Sequence, residues 1–270
     1  MPEQNAVQTI VNLFENSDVV LLGERHGFAE NLDFIIKSIH KLASAGVSRI
    51  ALEFSAEEFQ EQCDTLVLGA KYDPQVSRDM LFAYNVGWPY LEYQLVHQAV
   101  WQHNQVSAAK LRMLHPSYIY DWSKWVGSRD SASMAGVFHR GDYNQFRAQT
   151  ISAKVLAGEK VLGLFGAVHA TRDRQSLQAL GLTGDFESVA MILEEAYGLK
   201  VSTVNLNSAL SAEWDVELRT AETLSLCAVD HDFLHGRDFQ VVQGNWPDPD
   251  WTPVPANEAE YWKVISSRLK

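Results

Sequence analysis

Three apolar runs in this chain each end on an ionisable residue. "VVLLGERH" carries Val19–Leu22 into Glu24, Arg25 and His26. "IALEFS" carries Ile50–Leu52 into Glu53, and "VLGLFGAVH" carries Val161–Phe165 into His169. Two of the three place a glycine three residues before the histidine: Gly23-Glu24-Arg25-His26 and Gly166-Ala167-Val168-His169. Glycine permits a tight turn and close backbone approach at such a point. Two imidazoles and a carboxylate serve two chemistries. As metal ligands, His26, Glu53 and His169 would leave coordination positions open for water and substrate. As an acid–base set, a histidine or glutamate would activate water while a neighbouring charge tunes it.

These residues need a scaffold that brings them to one place. Short apolar runs are the signature of buried parallel strands. Strands are predicted at Asp18–Gly23, "VSRIALEF", Lys110–His115, Lys160–Gly166, "KVSTVNL" and "DFQVVQG". Apolar spacing predicts helices over residues 5–16, 29–45, 56–68, 142–157, 169–180, 185–197 and 256–268. Residues 77–105 read as mostly helical with Pro89 at a helix start, and residues 117–136 read as irregular. The resulting fold class is α/β, a mainly parallel central sheet flanked by helices. One domain spans 1–270, with a small helical cap insertion at about 70–140. In an open parallel sheet, ligands bind at the carboxyl ends of the strands. Glu24, His26, Glu53 and His169 are expected to converge there.

Other residues are candidates for substrate contact. "WPYLEYQLVHQAVW" lines Tyr90, Tyr93, His97 and Trp101 along one helix face. Such a face packs in a core or between copies of a homo-oligomer, or it walls a pocket with Tyr93 and His97 as polar contacts. His115 ends a strand and Arg25 neighbours His26, so both join the substrate-binding set. His231 and His235 have i, i+4 spacing that suits either a metal or an exposed surface. The formal net charge is −12 with no basic cluster, which argues against nucleic acid and anionic membranes. No apolar run reaches the roughly 20 residues of a membrane helix, and the first residues lack a basic–apolar leader. A cytoplasmic protein with a small-molecule substrate is expected. Cys63 and Cys227 give no disulfide framework and read as reduced packing residues. Serine-nucleophile elbows, HExxH and phosphate-binding glycine loops are absent from the sequence.

The ordered set "GERHG" (Gly23–Gly27), "ALEFS" (Ala51–Ser55) and "GAVHA" (Gly166–Ala170) resembles the erythromycin esterase-like and ChaN-like superfamily. It is more distantly similar to the Tiki/TraB proteins with paired GxxH motifs. The resemblance implies that His26 and His169 are the two family histidines, Glu53 the strand-end glutamate and Glu24 the first-motif acid. It also implies that Arg147, in "DYNQFRAQT", is the helical arginine upstream of the second histidine. The implied activity is hydrolysis of a small-molecule ester or amide by His/Glu-activated water, with Arg147 stabilising the oxyanion and Glu24 fixing a histidine tautomer. A divalent metal (Mn, Fe, Co or Zn) is one implied cofactor. Haem binding, metallopeptidase activity and a non-catalytic biosynthetic role are the alternatives. The antibiotic esterases of this group carry a larger helical cap, the ChaN-like members are lipoproteins whereas this chain lacks a lipobox, and Tiki/TraB proteins read GTxH at the first motif.

Overall fold

The computed structural model of the chain describes residues 2–24, 29–84, 91–124, 135–172, 174–179, 182, 186–208, 217–220 and 239–243. Arg25, His26, Pro89, Tyr90, Cys227, His231, His235 and the helix expected at 256–268 lie outside them. Five parallel strands form the centre of the sheet: β1 (Val19–Glu24), β2 (Val47–Leu52), β3 (Arg112–Leu114), β4 (Lys160–Gly166) and β5 (Val201–Ser208). Their spatial order is β3-β2-β4-β1-β5. Two further strands extend the β5 side. β7 (Phe239–Gln243) pairs parallel with β5, and β6 (Glu217–Thr220) pairs antiparallel with β7 at the edge. The sequence reading had no strand at 217–220.

The interior strands read as continuous apolar runs because helices cover both faces. All six residues of β1 are buried. Burying a side chain such as Val20 or Leu21 stabilises the fold by about 1.5–3 kcal/mol. On one face, Val20, Leu22, Ile50, Leu52, Leu162 and Leu164 pack against helices α1 (Pro2–Leu13), α2 (Ala29–Ser44), α3 (Gln60–Leu68), α4 (Pro74–Tyr84) and α5 (Leu91–Val106). Leu32, Ile35, Ile39 and Leu42 form the buried stripe of α2. Gly46, at φ +87°, then turns the chain into β2, a conformation that glycine adopts without strain. On the other face, Val19, Leu21, Ala51, Leu114, Val161 and Phe165 meet two helices, Tyr143–Leu156 (α6) and Val189–Glu195.

The helix expected over 169–180 is two short ones, Ala167–Ala170 and Arg174–Ala179. Thr171 between them is extended, and its carbonyl accepts the Ser188 hydroxyl. Ser188 Oγ in turn accepts from Met191 N at 3.1 Å and caps the Val189–Glu195 helix.

Gly163, in the middle of β4, marks a close approach. A Cβ placed there would stand 2.6 Å from Phe165 Cε2 and 2.7 Å from Leu21 Cδ2. Gly163→Ala is therefore expected to destabilise the protein by about 1–3 kcal/mol through overpacking. Chemical denaturation measures this, and a change within 0.3 kcal/mol of zero would contradict it.

Candidate functional site

The helices that follow β1 and β4 leave for opposite faces of the sheet, although these two strands are neighbours. Such a reversal opens a crevice at the carboxyl ends of the strands. Glu24 closes β1 and is in register with Gly166 at the end of β4. Glu53 follows β2 directly, and its N–H still donates to Leu164 O at 3.1 Å, as a continued ladder would. His169 lies in the short Ala167–Ala170 helix that begins as β4 stops. Arg147 comes from α6, whose start is fixed by Asp142 accepting from the N–H groups of Asn144 and Gln145.

Glu53 is the hub. Its Oε1 lies 3.0 Å from Arg147 Nη2 and 3.3 Å from His169 Nε2. Its Oε2 accepts the Gly166 N–H at 2.5 Å. Glu53 is 5% exposed, Arg147 2% and His169 8%, so the ion pair is buried and its geometry is fixed by further bonds. Arg147 Nε donates to Ser117 Oγ at 3.0 Å, and Ser117 Oγ donates to the Glu53 carbonyl at 2.9 Å. Arg147 also lies over the Tyr143 ring, 5.1 Å from its centroid. Burial works against the arginine's charge, but the Glu53 carboxylate beside it opposes that, and its pKa rises above the usual value.

The sequence reading therefore assembles in part. Glu53, Arg147 and His169 meet. Glu24 is buried at the end of β1 but on the face of Val20 and Leu22, where its Oε2 accepts from Asn31 Nδ2 of α2 at 2.9 Å. His26 and Arg25 lie outside the described residues. Tyr93, His97 and His115, expected to touch substrate, are each 2% exposed and belong to the opposite side of the sheet. Tyr93 packs edge-on against Phe54. The rings of His97 and His115 stack with centroids 6.2 Å apart, and Cys63 joins them in a buried cluster able to hold a metal. Among the described residues, the side chains of Tyr93, His97 and His115 are buried in the core.

Four residues the sequence reading did not name complete the Glu53 centre: Ser117, Tyr84, Tyr120 and Tyr143. Tyr143 stands edge-on to the His169 ring, 5.5 Å between centroids. Burial is the main cause that raises the pKa of Tyr84, Tyr120 and Tyr143, so these phenols stay protonated and remain hydrogen-bond donors. Tyr143 had a legible signal, since it lies one helical turn before Arg147 and so shares its face. Ser117 closes "LHPS" just past β3, a fourth strand end at the same edge.

At Glu53 and His169, the described members of the expected ligand set, a divalent metal fits poorly. Both oxygens of Glu53 already accept hydrogen bonds, and one of the donors is a fixed guanidinium whose charge opposes a dication. Haem fits poorly as well at the described histidines named from the sequence. His97 and His115 are inside the core, and His169 faces Glu53.

No protein family matches the sequence. No curated protein matches it either. Solved structures are similar at low identity. The type III effector HopBA1 superposes with a TM-score of 0.52 at 12% identity, over 89% of this chain and 94% of that one. A succinoglycan biosynthesis protein gives 0.53 at 12% identity, over 75% of this chain and 69% of that one. ChaN of Campylobacter jejuni, described with cofacial haem, gives 0.49 at 14% identity, over 90% and 92%. The chain shares the α/β fold of the first two. Among the described residues, no helix is long and apolar enough to cross a membrane.

Proposed function

We propose that the protein is a metal-independent hydrolase of a small-molecule ester or amide, with His169 as its general acid–base. One observation carries this reading. At the strand-end crevice, the Glu53 carboxylate is clamped by Arg147 and the Gly166 N–H and lies 3.3 Å from His169 Nε2. A carboxylate so engaged is a weak base, because its charge is already shared among donors. Its role is to orient the imidazole and to favour the imidazolium that forms when His169 takes a proton, as the orienting carboxylate does in a nucleophile–His–Asp arrangement.

With Nε2 committed to Glu53, Nδ1, itself buried among the described residues, is the His169 nitrogen left in this scheme to exchange a proton with a water held in the site. Arg147, wrapped by Glu53, Ser117 and Tyr143, is a positioning residue in this scheme. Oxyanion stabilisation falls to protonated phenols such as Tyr143, which are donors that cost little reorganisation. His26, from the first strand-end motif, is assigned the second acid–base role on the sequence pattern.

The test is a screen of esters, lactones and amides with chelator-treated protein, followed by His169→Ala, which leaves the Glu53–Arg147 pair intact. A fall in kcat of about 10²–10⁴-fold is expected. Full activity in His169→Ala, or activity that disappears with chelator and returns with a divalent metal, would overturn the reading.

A further inference from the structure

We propose that Cys63, His97 and His115 form a buried binding site for a soft monovalent d¹⁰ cation, Cu(I), separate from the Glu53 centre. One donor atom from each of the three side chains lies within 4.8 Å of the other two. A metal bound at about 2.0–2.3 Å holds such donors about 3.5–4 Å apart, so the cluster is close to ligating distance as folded. Its members come from three elements, α3, α5 and the end of β3. The convergence is thus a product of the tertiary fold and does not follow from sequence spacing.

The bonds around the cluster have the form of a metal site's outer shell. His97 Nδ1 is 2.7 Å from Ser77 Oγ, and His115 Nδ1 is 3.0 Å from the Ala56 carbonyl. The Ala56 carbonyl can only accept, so His115 Nδ1 carries the proton and Nε2 is the lone-pair nitrogen; the Ser77 hydroxyl can accept from His97 Nδ1 in the same way when a metal takes Nε2. His115 Nε2 is buried and has no hydrogen-bond partner. A buried polar atom left unmatched costs roughly 1–3 kcal/mol, and a cation would supply the missing partner.

The charge of the metal follows from burial. Cys63 is 0% exposed, His97 2% and His115 2%. The surroundings are apolar, with Leu66, Val67, Val96, Val100 and Met113 in the same cluster. The nearest carboxylate in sequence, Asp64, is already 3.2 Å from Arg112 and 3.9 Å from Arg49. One thiolate and two neutral imidazoles balance a monovalent cation to zero net charge. A dication would leave an uncompensated positive charge in the core, which is expensive. Thiolate and imidazole suit Cu(I), which is content with three ligands, whereas zinc asks for a fourth. Binding replaces the Cys63 S–H bond with a sulfur–metal bond and releases that proton to solvent, with no change in oxidation state.

The experiment is anaerobic competition between the intact protein and the Cu(I)–bathocuproine disulfonate complex, read by loss of the complex's colour, with X-ray absorption on the product. One Cu(I) per chain is expected, with one sulfur and two nitrogen neighbours, and a higher thermal midpoint for the loaded protein. Cys63→Ala should lose at least about 100-fold in affinity. Ser77→Ala, which removes the outer bond to His97 and a side-chain bond to Tyr72 but no metal ligand, should lose about 10–100-fold. Ser77→Ala carries the test if Cys63→Ala fails to fold by circular dichroism. No transfer of Cu(I), equal transfer to folded Cys63→Ala, or preferential retention of Zn²⁺ when both metals are offered would each overturn the proposal.

Discussion

Replacing Arg147 by Met is expected to lower the unfolding free energy by about 3–5 kcal/mol, a large part of the stability of an ordinary domain. The mutation removes little volume. Its cost is the carboxylate left behind: Glu53 is 5% exposed, and without the guanidinium it loses the cation that balances it. Glu53→Gln should cost a similar amount for the mirror reason, a buried guanidinium with no counter-charge. The double variant Arg147→Met/Glu53→Gln should cost clearly less than the sum of the singles, because neither charge then remains to be stranded. Urea denaturation at neutral pH gives all four values. Single losses under 1 kcal/mol, or strict additivity, would show that the pair is not the buried unit its geometry describes.

The metal-free protein is also expected to lose about 4 kcal/mol of stability between pH 7 and pH 5 from His97 and His115 alone. Burial is the first cause in each case. It lowers His97 from 6.5 to about 3, and His115 from 6.5 to about 4. Both folded values are depressed, so the histidines are neutral in the folded protein and free to protonate only once unfolded. Between pH 6.5 and the folded values, the unfolded state binds more protons, and stability falls as the pH falls. More than about one unit above pH 6.5 the two groups contribute almost no slope. At pH 5 each is 1.5 units below its unfolded value, or about 2 kcal/mol. His97→Asn and His115→Asn retain a donor near the Nδ1 position and cannot titrate, so the double variant should flatten the difference between urea midpoints at pH 7 and pH 5. A slope unchanged in that variant would assign the acid sensitivity elsewhere.

Much of this architecture is legible in the amino-acid sequence because of how parallel sheets bury themselves. Runs such as Val19–Leu22 and Val161–Phe165 have no exposed face and so no polar alternation. Their composition alone marks them as interior strands. Strand ends are equally plain, since the first ionisable residue after such a run must lie at the sheet edge, and Glu53 and His169 were found that way. Strand β6 carried no comparable mark: "ELRT" at an antiparallel edge is short, polar and unremarkable in composition. The Cys63–His97–His115 cluster was hidden for a different reason. His97 shares its helix with aromatic and apolar residues, and His115 shares the edge with real site candidates. Only alternation along β3, with Met113 facing one core and Leu114 the other, sends the His115 side chain away from Glu53. Ser117 was missed because a hydroxyl in a loop gives no pattern until its partners, Arg147 Nε and the Glu53 carbonyl, are in place.

The strand order also governs how the chain can be made. β1 and β2 are linked by a single helix, yet they are not neighbours. β4 lies between them, and Val19 pairs with Val161 on one side and Val201 on the other. During synthesis, β1 leaves the ribosome with both edges open and waits for most of the chain to follow. Long-range pairings of this kind fold slowly and expose strand edges to aggregation. β4, with Gly163 packed closely on Leu21, must therefore enter the sheet between two strands made well before it.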